Sequence, residues 1–409
     1  MGDPTMRITD VRTILLTGPC TEDITVTAIR KRRSAAFVEV HTDVGIVGLG
    51  ETYAGYFCPE VIPGIVDFFK PILVGQNVDD IRELWERMYR CENFWCRVGL
   101  GVSVINGIEA ALWDLKGKLL GVPAYELLGG CKHARLPCYA TGGPSNYPKD
   151  KLAAKIDYYL GLGFRGFKLG AGSFTGDGTY YVANTPAEAA DFEADKLAFV
   201  RTHVGKEINV MLDGHMGNSP DHTWNLATAT AVMKAVEPFD LFFFEEPLHY
   251  TDPWGYAELC RATEVPIAGG ECLTAAYEWK VFTERDAFDI GQPDASFTGG
   301  LSEFMNVAAM LEKRGRKLAT HAWGAGGSFM QNLHCGFACA NTIMLEIAAA
   351  YGPLHRDIMV EPFTMKDGFA RAPTALGLGI QLTDETKSRF AFVPGSGEFV
   401  SVPGKVLVD

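Results

Sequence analysis

Ionisable residues recur in the second part of the chain, each at or just after the end of a short apolar run. In a parallel α/β barrel the residues that follow the strands meet at one rim, where barrel enzymes carry out their chemistry. One such residue is unremarkable, but seven positions in succession predict one shared site. These residues are Lys168, Asp213 with His215, Glu245 with Glu246, Glu271, Asp294, His321 and Glu346.

Three of these residues are acids on consecutive predicted strands: Asp213, Glu245 and Glu271. Converging carboxylates repel one another and raise one another's pKa, and a divalent cation removes that repulsion. An all-oxygen ligand set selects a hard ion, so we expect Mg²⁺ first and Mn²⁺ second. The two-residue alternation of a strand predicts that Glu246, beside Glu245, turns its side chain away from the rim.

A second group of residues predicts proton transfer. Asp294 ends one predicted strand and His321 follows the next, and neighbouring strands lie about 4.8 Å apart. Asp294 can therefore orient the His321 imidazole through a hydrogen bond and raise its basicity. Lys168 and His215 follow the second and third strands across the barrel, and either could be the opposing acid/base group.

Together these groups predict chemistry at the carbon next to a carboxylate. A divalent ion that binds a substrate carboxylate acidifies the α-carbon and stabilises the enediolate formed on deprotonation. One acid/base group would take the α-proton. The other would protonate a departing β-hydroxyl or return a proton to the α-carbon, and this choice separates dehydration from racemisation.

The first part of the chain, residues 1–135, predicts a small α+β domain. Alternating patterns indicate strands at Arg7–Leu16 and Ala35–Thr42. Gly48–Glu51 is predicted to open a loop that contains Tyr53 and Tyr56, and a helical pattern follows from Val61 to about Gly130.

Residues 136–370 alternate short apolar runs with amphipathic segments. About eight such units over this length favour a closed barrel over an open sheet. A dinucleotide-binding fold is disfavoured because no G-x-G-x-x-G follows the first strand of such a unit. The predicted strands are Phe164–Leu169, Ile208–Leu212, Leu241–Phe244, Val265–Ala268, Phe288–Ile290, Leu318–Thr320 and Ile343–Leu345.

Two further segments have distinctive patterns. The connection Ala171–Asn184 is long and polar, which is typical of a functional loop and suits a polyhydroxy substrate. Residues 371–409 are rich in Pro and Gly and end in a strand-like Lys405–Val408. We expect this C-terminal segment to pack back on the first domain.

Composition excludes several classes of protein. With 37 Lys and Arg against 50 Asp and Glu, the net charge of −13 argues against nucleic-acid binding. No apolar run is long enough to span a membrane, and MGDPTMRITD lacks the apolar core of a secretory signal, so a cytoplasmic location is expected. The ten cysteines form no C-x-x-C, which predicts reduced, buried thiols rather than a zinc site.

Eight sequence stretches span nearly the whole chain: INGIEAALWDLKGKLLGVPAYELLGG, GFKLG, LDGH, FEEP, GGE, QPD, THAWG and LE. Together and in this order, they resemble the mandelate racemase branch of the enolase superfamily. The resemblance implies a (β/α)7β modified TIM barrel with an N-terminal α+β capping domain, assembled as a homo-oligomer.

The resemblance also implies residue roles. Asp213, Glu245 and Glu271 would hold Mg²⁺, and His321 with Asp294 would form a general acid/base pair. Glu346 would hydrogen-bond the substrate carboxylate and its developing enediolate. Loops of the capping domain shape the pocket in this family, and the candidates for substrate contact are Tyr53, Tyr56 and Trp323.

One departure from the family pattern favours a particular reaction. The family's Lys-x-Lys strand end has Gly166 in its first position here, which weakens the racemase interpretation because a lysine pair lowers the reactive amine's pKa. Asp213-Gly214-His215 instead resembles the D-x-H pattern of the family's acid-sugar dehydratases. We therefore expect a Mg²⁺-dependent lyase of carbohydrate catabolism that dehydrates an aldonic or related sugar acid to a 2-keto-3-deoxy acid.

Three further functions are compatible with parts of this pattern. A racemase, epimerase or cycloisomerase of an α-hydroxy acid uses the same scaffold. A metal-dependent aldolase and a non-catalytic ligand-binding relative are more remote, because neither explains why the full set of acids and acid/base groups is present.

Overall fold

A computed structural model describes residues 6–20, 32–91, 93–142, 148–171, 173–174, 180–181, 185–216, 223–349 and 352–395. The predicted strand Lys405–Val408 and most of the connection Ala171–Asn184 lie outside these residues. Across the described ranges, no helix combines the length and apolar character needed to cross a bilayer.

The N-terminal part is an antiparallel sheet in the order β1-β2-β3 with helices packed on it. Residues on both faces of β2 are buried, since helices cover one side and other parts of the chain the second. The strands are Ile8–Pro19 (β1), Arg32–Thr42 (β2) and Val47–Thr52 (β3). The helices are Ala54–Phe57 (α1), Ile62–Leu73 (α2), Ile81–Cys91 (α3), Leu100–Leu120 (α4) and Ala124–Leu127 (α5), with a 3-10 turn at Pro59–Val61.

The segment from Gly48 to Glu51 was predicted to open a loop, and this prediction is wrong because the segment lies within β3. A Cβ at Gly48 would lie 2.0 Å from the Ala111 carbonyl oxygen, and one at Gly50 would lie 2.3 Å from that of Gly107. The glycines therefore permit close packing of β3 on α4 rather than a turn. This contact carries Glu51, the next residue, toward the barrel.

The C-terminal part confirms the predicted (β/α)7β barrel. Eight parallel strands close where β13 pairs with β4, and seven helices connect successive strands within the described residues. The strands are Leu136–Thr141 (β4), Gly166–Gly170 (β5), Asn209–Asp213 (β8), Phe243–Glu245 (β9), Ile267–Gly269 (β10), Ile290–Gly291 (β11), Lys317–Ala319 (β12) and Thr342–Ala348 (β13). The helices are Lys149–Gly161 (α6), Pro186–Val204 (α7), Leu226–Val236 (α8), Pro253–Ala262 (α9), Ala275–Thr283 (α10), Leu301–Lys313 (α11) and Gly326–Ala338 (α12).

The first barrel strand, β4, was not among the predicted apolar runs. Pro137 is its second residue, and a proline argues against a central strand unless it stands at the strand's start. Here the short antiparallel strand Phe369–Ala370 (β15) covers that end of β4, and Pro137 pairs with Phe369.

Smaller elements complete the fold. Ser173–Phe174 (β6) and Tyr180–Tyr181 (β7) form a hairpin within the connection after β5. The C-terminal segment returns to the first sheet, where the Thr17 amide donates to the Phe390 carbonyl oxygen over 2.9 Å. The remaining elements are a 3-10 turn at Glu237–Phe239, Pro353–Arg356 (α13), Met365–Lys366 (β14), Phe369–Ala370 (β15) and Asp384–Arg389 (α14).

The barrel interior is a packed core rather than a channel. Each barrel strand except β5 contributes a side chain to one inner cluster, formed by Tyr139, Met211, Phe243, Ala268, Ile290, Ala319 and Met344. The prediction of buried thiols is wrong for Cys91 and Cys131, which are exposed. Cys91 ends α3 and Cys131 lies in the connection to β4, where neither is covered by the core.

Candidate active site

The ends of the barrel strands bring a buried cation and three acids together. The Lys168 ammonium lies 2.9 Å from Asp213 Oδ2, 2.6 Å from Glu245 Oε2 and 3.0 Å from Glu346 Oε1. Burial lowers the pKa of Lys168, but these carboxylates outweigh burial and hold it well above its usual value. Two of these acids converge because the register of the sheet places Asp213 and Glu245 side by side on the paired strands β8 and β9.

The third predicted metal ligand, Glu271, lies in a second group of acids at the same rim. Ligand atoms of Glu246, Glu271 and Cys272 lie within 4.8 Å of one another. Burial, followed by the negative charge of Asp213, raises the pKa of Glu245 well above its usual value, and Glu271 contributes to that shift. The two acid groups therefore share one electrostatic environment.

Glu246 does not turn away from the rim, so that prediction is wrong. The strand ends at Glu245, and Glu246 has a φ of +42°, which breaks the two-residue alternation on which the prediction depended. Its carboxyl group is buried beside the Glu271 carboxylate and the Cys272 thiol. Burial and the charge of Glu271 raise its pKa well above the usual range.

His321 and Asp294 form the predicted hydrogen-bonded pair. His321 Nδ1 donates to Asp294 Oδ2 over 2.7 Å, and His321 Nε2 lies 3.4 Å from Glu271 Oε2. Burial disfavours the charged imidazole, but Glu271 and Asp294 outweigh it and raise the pKa of His321 to about 10. Asp294 therefore orients the His321 ring and favours its charged form.

The two candidates for the opposing group differ in their surroundings. His215 Nδ1 lies 3.3 Å from Asp213 Oδ1, on the other oxygen from Lys168. The His215 side chain is 28% exposed, whereas that of Lys168 is 5% exposed. His215 has a φ of +46°, so the chain leaves β8 immediately after Asp213 and places the imidazole at the edge of the cluster.

Glu346 joins the cluster to the segment that carries His321. Its Oε1 contacts the Lys168 ammonium, and its Oε2 accepts a 2.7 Å hydrogen bond from the Ala322 amide. Burial alone would raise the pKa of Glu346, but Lys168 and His321 lower it to about 2. Both oxygens are occupied and the group is ionised.

An aromatic wall adjoins His321. The Tyr53 ring centroid lies 5.5 Å from that of His321 and 5.3 Å from that of Tyr56. Trp323 Nε1 donates to the Tyr56 hydroxyl over 2.9 Å. The Arg33 guanidinium lies over both Tyr56 and Trp323, at 5.1 and 4.8 Å from the ring centroids. All three predicted substrate-contact residues therefore lie in one surface.

Three supporting residues were not predicted from the sequence. Gln292 Nε2 donates to Glu245 Oε2 over 2.7 Å, and Asp294 Oδ1 accepts from Ser296 Oγ at 2.6 Å and Asn332 Nδ2 at 2.8 Å. Gln292 belongs to the QPD motif, which was a usable signal. Asn332 lies on α12, and only the packing of that helix brings it to Asp294.

A closed, capped barrel whose rim combines clustered carboxylates with an oriented histidine is the architecture of enolase-type proteins. The chain belongs to the mandelate racemase/muconate lactonizing enzyme family of the enolase superfamily. The family's N-terminal domain model matches residues 9–129, and the model described as enolase C-terminal domain-like matches residues 151–386.

Curated relatives cover most of the chain. It is 30% identical to an arabinonate dehydratase from Saccharolobus solfataricus over 351 residues, which are 85% of this chain and 87% of that protein. It is 31% identical to a D-galactonate dehydratase from Ralstonia pickettii over 357 residues, which are 85% of this chain and 88% of that protein.

Solved structures share the whole fold. The chain superposes on the 3,6-anhydro-D-galactonate cycloisomerase from Zobellia galactanivorans with a TM-score of 0.80 and 27% identity, over 94% of this chain and 99% of that one. It superposes on a racemase from Streptomyces coelicolor, solved with bound magnesium, with a TM-score of 0.79 and 27% identity, over 94% and 100%.

Proposed function

We propose that the chain is a Mg²⁺-dependent dehydratase of an aldonic or related sugar acid, which releases a 2-keto-3-deoxy acid. The observation that carries the proposal is the buried His321–Asp294 pair, which lies against Glu271 at the rim that also holds Asp213 and Glu245. The relatives named as arabinonate and D-galactonate dehydratases support this substrate class.

Asp213, Glu245 and Glu271 would hold Mg²⁺, with Mn²⁺ as the substitute ion. The residues fit a hard cation, because Asp213 and Glu245 already converge on the Lys168 ammonium and Glu245 Oε1 is buried without a hydrogen bond to the described residues. When bound, the ion supplies positive charge that offsets the negative charge developing on the substrate carboxylate as its α-proton leaves.

His321 is the proposed general acid. Asp294 fixes the ring through Nδ1 and favours its charged form, so that Nε2 can carry the proton that is donated. As the bond between carbon 3 and its hydroxyl breaks, His321 donates this proton and the hydroxyl leaves as water. The electron pair from the carbon 2 C–H bond forms the double bond to carbon 3, and the resulting enol tautomerises to the 2-keto acid.

His215 is the proposed base that takes the carbon 2 proton, with Lys168 as the competing candidate. The partial exposure of His215 leaves its ring accessible to a substrate. The Lys168 ammonium must lose a proton before it could act as a base, and its contacts with three carboxylates favour the charged form.

The aromatic residues next to His321 are the first group of proposed substrate contacts. Tyr53, Tyr56 and Trp323 are proposed to line the side of the pocket next to His321. Glu346 is proposed to meet the substrate carboxylate. A hydrogen bond between two carboxyl groups needs a proton on one of them, so either Glu346 or the substrate must carry it, against the effect of the Lys168 ammonium on Glu346.

Release of 2-keto acid from a library of acid sugars tests the proposed function. We expect release from one stereochemical subset in the presence of Mg²⁺, and loss of turnover with weakened metal binding in Glu245→Gln. Absence of release from every acid sugar, together with α-proton exchange on a mandelate-like acid, would contradict the proposal.

A racemase, epimerase or cycloisomerase is the second candidate function. The similarity to the cycloisomerase and the racemase, together with Lys168 at the rim, favours it over an aldolase or a non-catalytic ligand-binding role. Deuterium incorporation at carbon 2 without loss of water would identify this reaction.

A further inference from the structure

The helix that follows His321 begins without a cap of its own. The first amide groups of a helix have no partner within it, and Ala325, at the N-terminus of α12, offers no side-chain acceptor. Glu51 of the capping domain accepts hydrogen bonds from two amides at this end of the helix. Its Oε1 accepts from the Ala325 amide over 2.7 Å and its Oε2 from the Ser328 amide over 2.8 Å.

Residues on both sides of the contact between Glu51 and α12 accommodate the buried Glu51 side chain. Glu51 is 1% exposed, and its own amide donates to Gln331 Oε1 over 2.8 Å. A Cβ at Gly324 would lie 2.9 Å from Glu51 Oε1, and one at Gly327 would lie 2.8 Å from Glu51 Cβ. These two glycines leave the space that the Glu51 side chain occupies.

A second residue of the capping domain, Arg33, also binds this segment, but as a hydrogen-bond donor. The Arg33 guanidinium donates to the carbonyl oxygens of Trp323 and Gly324, each over 2.7 Å. The chain between His321 and α12 is therefore held at its amides by Glu51 and at its carbonyls by Arg33.

Hydrogen bonds continue from this segment to the His321–Asp294 pair. Ser328 Oγ lies 2.7 Å from Ser296 Oγ, which in turn donates to Asp294 Oδ1. Asn332 Nδ2 also donates to Asp294 Oδ1 and to the Ser328 carbonyl oxygen. A shift of the first turn of α12 would therefore move two of the groups that orient Asp294.

We propose that Glu51 is a positioning residue through which the capping domain fixes the geometry of the His321–Asp294 pair. This inference rests on the proposed function for its kinetic consequence. Its structural consequence, the strength of the His321–Asp294 hydrogen bond, can be measured without any substrate.

Glu51→Gln tests the proposal because the amide keeps the shape of the carboxyl group but retains only one acceptor oxygen. We expect kcat to fall about 10²-fold, as for a displaced catalytic group, while KM and the Mg²⁺ titration stay near those of the unchanged protein. We also expect the downfield proton NMR signal of His321 Nδ1–H to move or broaden in the substrate-free protein.

Glu109→Gln is the matched control. Glu109 is also buried, comes from the capping domain and accepts from the amides of Leu301 and Ser302 at the uncapped N-terminus of α11. Within the described part of the chain, its hydrogen bonds go to α11 and to Trp113 and not to the segment between His321 and α12. We expect its variant to lose stability as Glu51→Gln does, but to keep the NMR signal.

Three results would overturn the proposal: an unchanged NMR signal in Glu51→Gln, an unchanged kcat in Glu51→Gln, or an equal loss of kcat and of the NMR signal in Glu109→Gln. Glu51→Asp keeps a carboxyl group on a shorter side chain, so partial recovery of the NMR signal relative to Glu51→Ala is expected. If no acid sugar is dehydrated by the unchanged protein, the proposed function fails, and the NMR comparison still decides the role of Glu51.

Discussion

The Asp213 carboxylate stands between two basic side chains, and they meet it in different ways. Lys168 contacts Oδ2 from within the buried cluster, and His215 approaches Oδ1 from the cluster's edge. The first arrangement stabilises a charge, whereas the second leaves an imidazole that a substrate can reach. On the basis of these contacts the proposed function gives the two residues different tasks, although the sequence left them equivalent.

Single substitutions separate the two tasks. His215→Asn should lower the rate of dehydration by about 10²- to 10⁴-fold, the usual contribution of a general base. Lys168→Ala should disturb metal binding and stability first, because it leaves buried carboxylates unpaired. Steady-state kinetics beside a Mg²⁺ titration checks both. Normal turnover in His215→Asn with loss of α-proton removal in Lys168→Ala would assign the base to Lys168.

Among the elements, β3 is the strand whose sequence pattern predicted a loop instead. Its glycines resemble a turn in sequence, but they serve contact with α4, which lies about 60 residues later in the chain. The strand-end residues of the barrel were predictable because each follows its own apolar run. Glu246, Asn332 and Glu51 were not, since a local φ or the packing of a distant helix places them.

The packing of β3 predicts opposite effects for two glycines of the capping domain. Gly50→Ala should destabilise the protein by about 1–3 kcal/mol, because the added Cβ would lie 2.6 Å from the Ala111 amide nitrogen. Gly64→Ala, in α2 with nothing within 4 Å, should be neutral or stabilise by up to about 1 kcal/mol. Chemical denaturation measures both, and similar losses would contradict the close strand–helix contact.

A buried histidine on helix α12 should make the stability of the protein depend on pH. His334 lies on α12, accepts a hydrogen bond from the Tyr125 amide at Nδ1, and burial lowers its pKa to about 3. A histidine with a lowered pKa contributes stability above pH 6.5 that is lost as the pH falls toward 3, by about 1.4 kcal/mol per unit.

His334→Asn keeps an acceptor near the Nδ1 position but cannot be protonated. Between pH 7 and pH 5 the unchanged protein should lose about 2 kcal/mol more stability than this variant. Urea unfolding at the two pH values measures the difference. Parallel losses in both proteins would show that His334 does not titrate on unfolding in this range.

At the scale of the whole molecule, the capping domain contacts the barrel rim that carries His321. It places Tyr53 next to the His321 ring, with Tyr56 beside Tyr53, and it places Glu51 and Arg33 against the segment after His321. The barrel architecture could be predicted from the sequence because strands and helices alternate along the chain. The contacts between the two parts could not, since they join residues far apart in sequence.

The surface of the capping domain bears on assembly. Phe68, Phe94 and Trp95 are exposed, and the rings of Phe68 and Trp95 lie 5.2 Å apart. Exposed aromatic clusters are typical of interfaces, which agrees with the expected homo-oligomer. Light scattering should therefore give a mass that is a multiple of 44.6 kDa. A mass of one chain at micromolar concentration would contradict this expectation.

The central claim, that His321 protonates the hydroxyl that leaves from carbon 3, can be measured most directly in D₂O with the acid sugar that is turned over best. The unchanged protein should release the 2-keto-3-deoxy acid with deuterium at carbon 3. His321→Asn should still exchange the carbon 2 proton, through the base on the other side, but should release no 2-keto acid and should bind Mg²⁺ normally. Continued release of 2-keto acid by His321→Asn would contradict the claim.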